Sequence, residues 1–360
     1  MNIKAILLAA GFGTRLRPIT NITPKCLLPI NGRPLIEYWL RALYDAGIQD
    51  ILMNLHHLAS VMEEWLGQSA FAGRVRTVYE DPILGTGGTL LQNRDFVGNE
   101  PVMLIHADNL CLADFPAYLR AHESRPAATE ITMMTFTTPT PATCGIVAIN
   151  RDGVVHAFYE KVANPPGNLA NAAVYILEPG IIGFLAGLKK SFIDFSTEVL
   201  PHFMGKINTF HNAIYHRDIG TTESFLTAQW ECPDTTDTTT NPVDGNNSWR
   251  IFCEKNDGMF VKKMLNGLAE ALHMEVIDLR ENKKYSSVRP IGEAGEQRGK
   301  IFVLSTETDF TPLSRCLENS GLQKDDQILF LPAVHACFSS KKILAEQGLK
   351  SIAVCASAAP

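Results

Sequence analysis

Apolar and polar positions alternate along the first half of the chain in blocks that predict strand, turn and helix in repeating order. The apolar run Ile3–Ala9 reads as a strand and stops at Gly11-Phe12-Gly13. Leu35, Ile36, Trp39, Leu40 and Leu43 fall at helical spacing within Pro34–Ala46, and Gly47 follows as a stop. Asp50–Leu55, Val75–Tyr79 and Val102–His106 repeat the strand pattern, while Leu58–Leu66 and Ala113–His122 repeat the helical one. Gly85-Thr86-Gly87-Gly88 opens a further helix. This alternation predicts an α/β fold, a doubly wound and mostly parallel sheet of Rossmann-like form with helices on both faces. In such a sheet ligands collect outside the carboxyl ends of the strands. Gly11–Lys25, Gly85–Gly88 and Asp108 all fall at such ends.

From Glu130 the pattern turns to short strands: Ile131–Thr137, Gly145–Asn150, Val154–Glu160, Ala172–Leu177 and Thr209–His216. Helical spacing returns at Gly180–Leu188 and Ser196–His202. These strands are expected to extend the sheet and add a small β subdomain. Residues 231–248 are polar, centred on Thr-Thr-Asp-Thr-Thr-Thr, and read as a linker. They divide the chain into a first domain, 1–230, and a smaller α/β domain, 249–360, whose role the residues do not disclose. There the expected strands are Glu275–Leu279, Ile301–Ser305, Gln327–Pro332 and Ser351–Ala356. Helical patterns occur at Phe260–Leu272, Leu313–Asn319 and Lys341–Gln347. The last strand has no covering helix, which leaves room for a homo-oligomer contact or a shortened chain.

Composition narrows the class. At 360 residues with 46% hydrophobic and 19% charged, the chain can bury a sizeable core, and two domains are expected. A formal charge of −6 gives no electrostatic reason to bind nucleic acid. No apolar run reaches the length of a membrane span. Eight cysteines without a Cys-x-x-Cys pair disfavour structural zinc and suit reduced thiols in a cytoplasm.

The chemistry centres on Leu8–Pro29. Glycines after a buried strand let backbone N–H groups approach a phosphate. Arg15 adds a planar fork and Lys25 a mobile point charge, a combination suited to a polyphosphate. No Gly-Lys-Ser/Thr ends this loop, and Arg15-Leu16 stand where a dinucleotide fingerprint needs its third glycine. The pattern Gly-x-Gly-Thr-Arg-Leu-x-Pro-x-Thr followed by Pro24-Lys25 resembles the signature of the sugar-1-phosphate nucleotidyltransferases, over about residues 1–229.

That resemblance implies transfer of a nucleotidyl group from a nucleoside triphosphate to a sugar 1-phosphate, with Mg2+ as cofactor. It assigns catalysis to Arg15 and Lys25. Nucleotide binding goes to Ala10, Gly11, Gly13, Thr14, Glu80, Gly85, Thr86 and Gly87. Gly145, Glu160, Lys161 and Asn171 match positions at the sugar phosphate, and Asp108 and Asp218 match the metal ligands. For Asp108, Asp218 and the Glu160-Lys161 pair, the bland alternatives are turn residues and a solvated edge. Asp194 and Glu198 resemble another family segment, and helix capping explains them almost as well. Relatives often carry glycine where this chain has Ala173.

Glu80 followed by the glycine loop resembles the guanylyltransferases that act on mannose or heptose 1-phosphate, so GTP is the expected donor. A uridylyl- or cytidylyltransferase, and a regulatory subunit that binds a nucleotide sugar without catalysis, are the alternatives. Retention of Arg15, Lys25, Asp108 and Asp218 argues against the last. The adjacent His56-His57 would point to opposite faces of an extended segment, so a shared metal is not expected there.

Overall fold

The computed structural model describes residues 2–31 and 33–233, together with the backbone of five strands between residues 275 and 353. In chain order the elements to residue 123 are as follows. Strand β1 (Lys4–Leu8) precedes the small hairpin β2 (Pro29–Ile30) and β3 (Arg33–Pro34), then helix α1 (Leu35–Asp45). Next come β4 (Ile51–Leu55), α2 (Ala59–Gln68), β5 (Val75–Tyr79), α3 (Thr86–Gln92) and α4 (Arg94–Val97). Strands β6 (Val102–His106) and β7 (Asn109–Leu112) lead to α5 (Phe115–Glu123). Then follow β8 (Ile131–Thr137), β9 (Gly145–Ile149), β10 (Val155–Glu160), β11 (Leu169–Leu177) and α6 (Gly180–Gly187). Strands β12 (Ile207–His211) and β13 (Tyr215–Asp218) and helix α7 (Thr222–Glu231) complete the continuous part.

Two compact units result, one of residues 1–11, 38–59 and 73–216, the other of 12–37, 60–72 and 217 onward. The first holds a nine-stranded sheet with the order β10-β9-β11-β6-β1-β4-β5, β8 joining β11 and β12 joining β8. Strands β6, β1, β4 and β5 run parallel, as do β8 and β12. The sheet is mixed, however, because β11 runs antiparallel to β6 and β8, and β9 to β10. A tight turn at Asn150–Gly153 joins β9 to β10, and so short a connection permits only an antiparallel pair. Strands β8 to β12 thus belong to the central sheet itself, while β13 pairs with β7 in a separate two-stranded sheet.

Both faces of β1, β4 and β6 are covered, whereas β5 at the sheet edge is half-exposed. Ile6, Leu8, Leu52 and Leu104 join a buried cluster with Leu90 of α3, Ile181 and Leu185 of α6, and Phe195. Leu7, Met53, Met103 and Ile105 alternate with them and are equally buried on the opposite face. Tyr118 of α5 is fully buried, and its hydroxyl donates to a main-chain carbonyl, with Thr132 O at 2.7 Å and Val174 O at 3.0 Å. Such continuous burial explains why β1, β4 and β6 read as mostly apolar runs.

In the second unit, three 3₁₀ turns (Thr14–Leu16, Ile19–Asn21 and Lys25–Leu27) carry the chain through the cationic segment. Gln229 of α7 is fully buried and clasps the hairpin, accepting from Asn31 N–H at 2.9 Å and donating to Pro29 O at 2.7 Å. Strands β14 (Glu275–Asp278), β15 (Lys283–Lys284), β16 (Lys300–Leu304), β17 (Gln327–Phe330) and β18 (Lys350–Ala353) form a sheet ordered β15-β14-β16-β17-β18. All but β15 run parallel. The linker beyond Pro233 and the three C-terminal helical patterns lie outside the described residues.

Candidate active site

Gly13 adopts the left-handed conformation (φ 59°), and a side chain there would lie 2.9 Å from the Thr20 methyl. Glycine is therefore required on both counts. Thr20 donates to Gly13 O at 2.8 Å and closes the turn. Within the same unit the structure brings Arg15, Lys25 and Asp218 together. Lys25 Nζ lies 2.9 Å from Asp218 Oδ1, and an Arg15 guanidinium nitrogen lies 3.5 Å from Asp218 Oδ2. Gly220 makes this possible, since a Cβ there would stand 2.5 Å from the guanidinium. Two cations and one carboxylate leave a net positive cluster beside the exposed Thr14, suited to attract a polyphosphate.

The other unit holds the second glycine loop. Ala10 is buried and Gly11 is exposed, with nothing near a Cβ added at Gly11. Gly85, in a positive-φ conformation (76°), caps α3. A side chain on Gly85 would lie 2.5 Å from Ile193 O, and one on Gly87 would lie 2.8 Å from the Ile193 side chain. The Gly87 and Gly88 N–H groups donate to Ile193 O at 2.8 and 3.3 Å, and Phe195 N–H donates to Thr86 Oγ1 at 2.8 Å. These glycines thus admit the 191–195 backbone to the start of the helix. Asp194 and Glu198 brace that segment: Asp194 accepts from Thr197 N–H at 2.8 Å, and Glu198 from Asp194 N–H at 2.9 Å. Glu80 is buried, its Oε1 receiving Thr89 Oγ1 at 2.6 Å and Asn54 Nδ2 at 3.1 Å.

Gly145 and Glu160 face each other across β9 and β10. A Cβ on Gly145 would lie 2.6 Å from Glu160 Oε2, so the glycine makes room for the carboxylate. Lys161, exposed, lies 3.3 Å from Glu160. Asn171 is held by its own strand, donating to the Tyr175 hydroxyl at 2.6 Å and accepting from Ala173 N–H at 2.9 Å. Burial pushes the Tyr175 phenol well above its ordinary pKa, so it stays protonated. Asp108 sits half-buried in the turn directly after β6. Among the described residues no three His, Cys, Asp or Glu side chains gather to hold a metal. A half-exposed carboxylate such as Asp218 fits instead an ion that takes one or two carboxylates and fills its shell with phosphate oxygens and water.

Comparison with known proteins supplies the class. The family described as "Nucleotidyl transferase" matches residues 4–235. The chain belongs to that family. A mannose-1-phosphate guanylyltransferase of Mycobacterium tuberculosis is 31% identical over 229 residues, covering 62% of this chain and 63% of the relative. A glucose-1-phosphate thymidylyltransferase of Streptomyces griseus is 32% identical over 190 residues, 52% of this chain and 53% of its own. The chain thus spans less than two thirds of either relative. A crystal structure from Bacillus anthracis, in complex with sucrose, shares the fold with a TM-score of 0.59 at 24% identity, covering 68% of this chain and 98% of its own.

Within this nucleotidyl transferase chain, Asn54, Thr89, Ile193 and Gly220 escaped the sequence reading. Asn54 alone left a trace, as the single polar residue in the strand Ile-Leu-Met-Asn-Leu. Among the described residues no helix is long and apolar enough to cross a membrane.

Proposed function

We propose that the chain catalyses attack by a sugar 1-phosphate oxygen on the α-phosphorus of a nucleoside triphosphate, GTP for preference. The new P–O bond gives the nucleoside diphosphate sugar, and the α–β bridging P–O bond breaks to release pyrophosphate. The observation that carries this reading is the joining of Arg15, Lys25 and Asp218, far apart in sequence, into one charged cluster.

The nucleophile is a phosphate monoester, largely dianionic at neutral pH because its second pKa is about 6, so no general base is needed. What the protein supplies is alignment and charge neutralisation. Lys25 and Arg15 are assigned to the phosphates, Arg15 to charge developing on the leaving group. Glu160 is assigned to sugar hydroxyls and Lys161 to the sugar phosphate. Asp108 and Asp218 are the proposed ligands for Mg2+, which when bound neutralises phosphate charge and polarises the phosphoryl oxygen.

The guanylyltransferase relative and the placement of Glu80 before the glycine loop support GTP. The thymidylyltransferase relative supports dTTP as the second reading. A cytoplasmic location and a homo-oligomer complete the proposal. Incubation with GTP, dTTP, UTP, CTP or ATP, magnesium and a panel of sugar 1-phosphates, with pyrophosphate as readout, tests it. Preference for GTP in kcat/KM is expected. Preference for dTTP selects the second reading, and no pyrophosphate with any pair rejects the transfer.

A further inference from the structure

A buried polar network links the two glycine-bearing segments assigned to the nucleotide. Asn54 lies in β4 opposite Leu8 of β1 and is almost fully buried. Its Oδ1 accepts the Ala9 N–H at 2.7 Å, on the residue that leads from β1 into Ala10 and Gly11. Its Nδ2 lies 3.1 Å from both Glu80 Oε1 and Thr89 Oγ1. Thr89 stands 2.6 Å from Glu80 Oε1 and 3.1 Å from Gly85 O. Glu80 Oε2 accepts the Leu84 N–H at 3.4 Å, while its carbonyl meets His56 Nδ1 at 2.7 Å.

The chemistry fixes every orientation. Ala9 N–H requires an acceptor and the Glu80 carboxylate requires a donor, so only one setting of the Asn54 amide satisfies both. Thr89 then accepts from Asn54 and gives its proton to Glu80. With both Glu80 oxygens engaged inside the fold, this carboxylate shapes the loop from within. Neither leucine nor an ionised aspartate could replace Asn54, since the first leaves buried groups unpaired and the second opposes a like charge.

We propose that Asn54 is a positioning residue for the nucleotide. It sets the spacing between the end of β1 and the Glu80–Thr89 loop, and so governs triphosphate affinity without touching the triphosphate. The inference rests on the nucleotidyltransferase reading of the site.

Asn54→Asp in the full chain is the test. It replaces a donor by an oxygen about 3 Å from Glu80, where two carboxylates cannot both ionise readily and share a proton at low pH. Protonated, the new group still donates to Glu80; ionised, it repels it. His56 and the exposed Asp81 are the other titratable groups at this loop, and the parent protein's pH profile accounts for them. The KM for MgGTP should stay within about twofold of the parent at pH 5.5 and rise about tenfold or more at pH 8, with the sugar phosphate KM unmoved. Thr89→Val, which keeps the shape and removes the hydroxyl, should raise the MgGTP KM several-fold at both pH values. A KM for MgGTP that shows no pH contrast in Asn54→Asp, or that rises in step with the sugar phosphate KM, overturns the proposal. So does an unchanged KM in Thr89→Val should Asn54→Asp not fold. If the parent turns over no triphosphate, the functional reading fails separately, and the same pH contrast is sought in calorimetric MgGTP affinity. Its absence there overturns the positioning role.

Discussion

Lys25 Nζ stands 2.9 Å from Asp218 Oδ1, although the lysine is only 6% exposed and the aspartate 51%. The ammonium is therefore held at the inner end of a carboxylate whose outer side meets solvent. Burial would make an unpaired ammonium costly, so the pair holds Lys25 charged and ready for a phosphate. Lys25→Met keeps the stem volume and deletes the charge. We expect kcat/KM for the triphosphate to fall by about 100-fold or more, with the folded circular dichroism spectrum retained. A variant within a few-fold of the parent would remove Lys25 from the reaction.

Gly145 and Glu160 give a second, independent prediction. The added Cβ in Gly145→Ala would lie 2.6 Å from Glu160 Oε2 and 2.7 Å from the Phe158 ring, forcing at least one of them aside. Because Glu160 is assigned to the sugar, the KM for the sugar phosphate should rise about tenfold while that for the triphosphate changes little. Equal rises in both would show a general loss of order instead.

How far the sequence disclosed this arrangement depends on the kind of contact. Strands β1, β4 and β6 were legible because burial on two faces leaves a mostly apolar run. The family pattern marked Arg15, Lys25 and Asp218 separately, but not the pairing of Asp218 with both cations, since no local period links positions so far apart. The resemblance assigns Gly85 and Gly87 to the nucleotide, whereas these glycines also admit the Ile193 backbone, a contact from a distant segment. Ser196–His202 reads as a helix and is one of irregular kind, a π-helix (Phe195–Val199) capped by Asp194 that runs into a 3₁₀ helix (Leu200–Phe203). There Pro201 lacks a donor, and Asp194 and Glu198 hydrogen-bond to the main chain instead.

Ala173 supplies the third prediction. It lies where the pairing of β11 with β8 slips between Asn171 and Tyr175, and its φ is 55°, a conformation that favours glycine. Relief of left-handed strain on Ala173→Gly is worth about 1 kcal/mol. It is offset by a lost, partly buried methyl and by the freer unfolded chain, so stability should change by less than about 1 kcal/mol. Ala173→Val places a β-branched residue in the same conformation and should cost about 2 kcal/mol or more. Urea denaturation of the two variants checks the contrast; equal stability would mean that the bulge relaxes without strain.

The last prediction concerns acid stability. His122 of α5 is fully buried between Thr132 Oγ1, 2.8 Å from Nδ1, and Glu178 Oε1, 3.1 Å from Nε2. A carboxylate accepts, so Nε2 carries the proton and Nδ1 accepts from the threonine; the ring is neutral. Burial first, and the Arg125 guanidinium second, push its pKa down to about 4. Arg125 also claims Glu178 directly, so that carboxylate is shared between the two bases. In the unfolded chain the same imidazole titrates near pH 6.5. The folded state thus binds fewer protons between these values, and the stability held above pH 6.5 is lost as pH falls toward 4. The loss should reach about 2 kcal/mol, allowing for partial solvent screening. His122→Gln can keep both hydrogen bonds without titrating in this range. Denaturation midpoints measured at pH 7, 5.5 and 4.5 should therefore fall less steeply in His122→Gln than in the parent. Parallel slopes would assign the acid sensitivity to other groups and leave His122 a purely structural link between α5, β8 and Glu178.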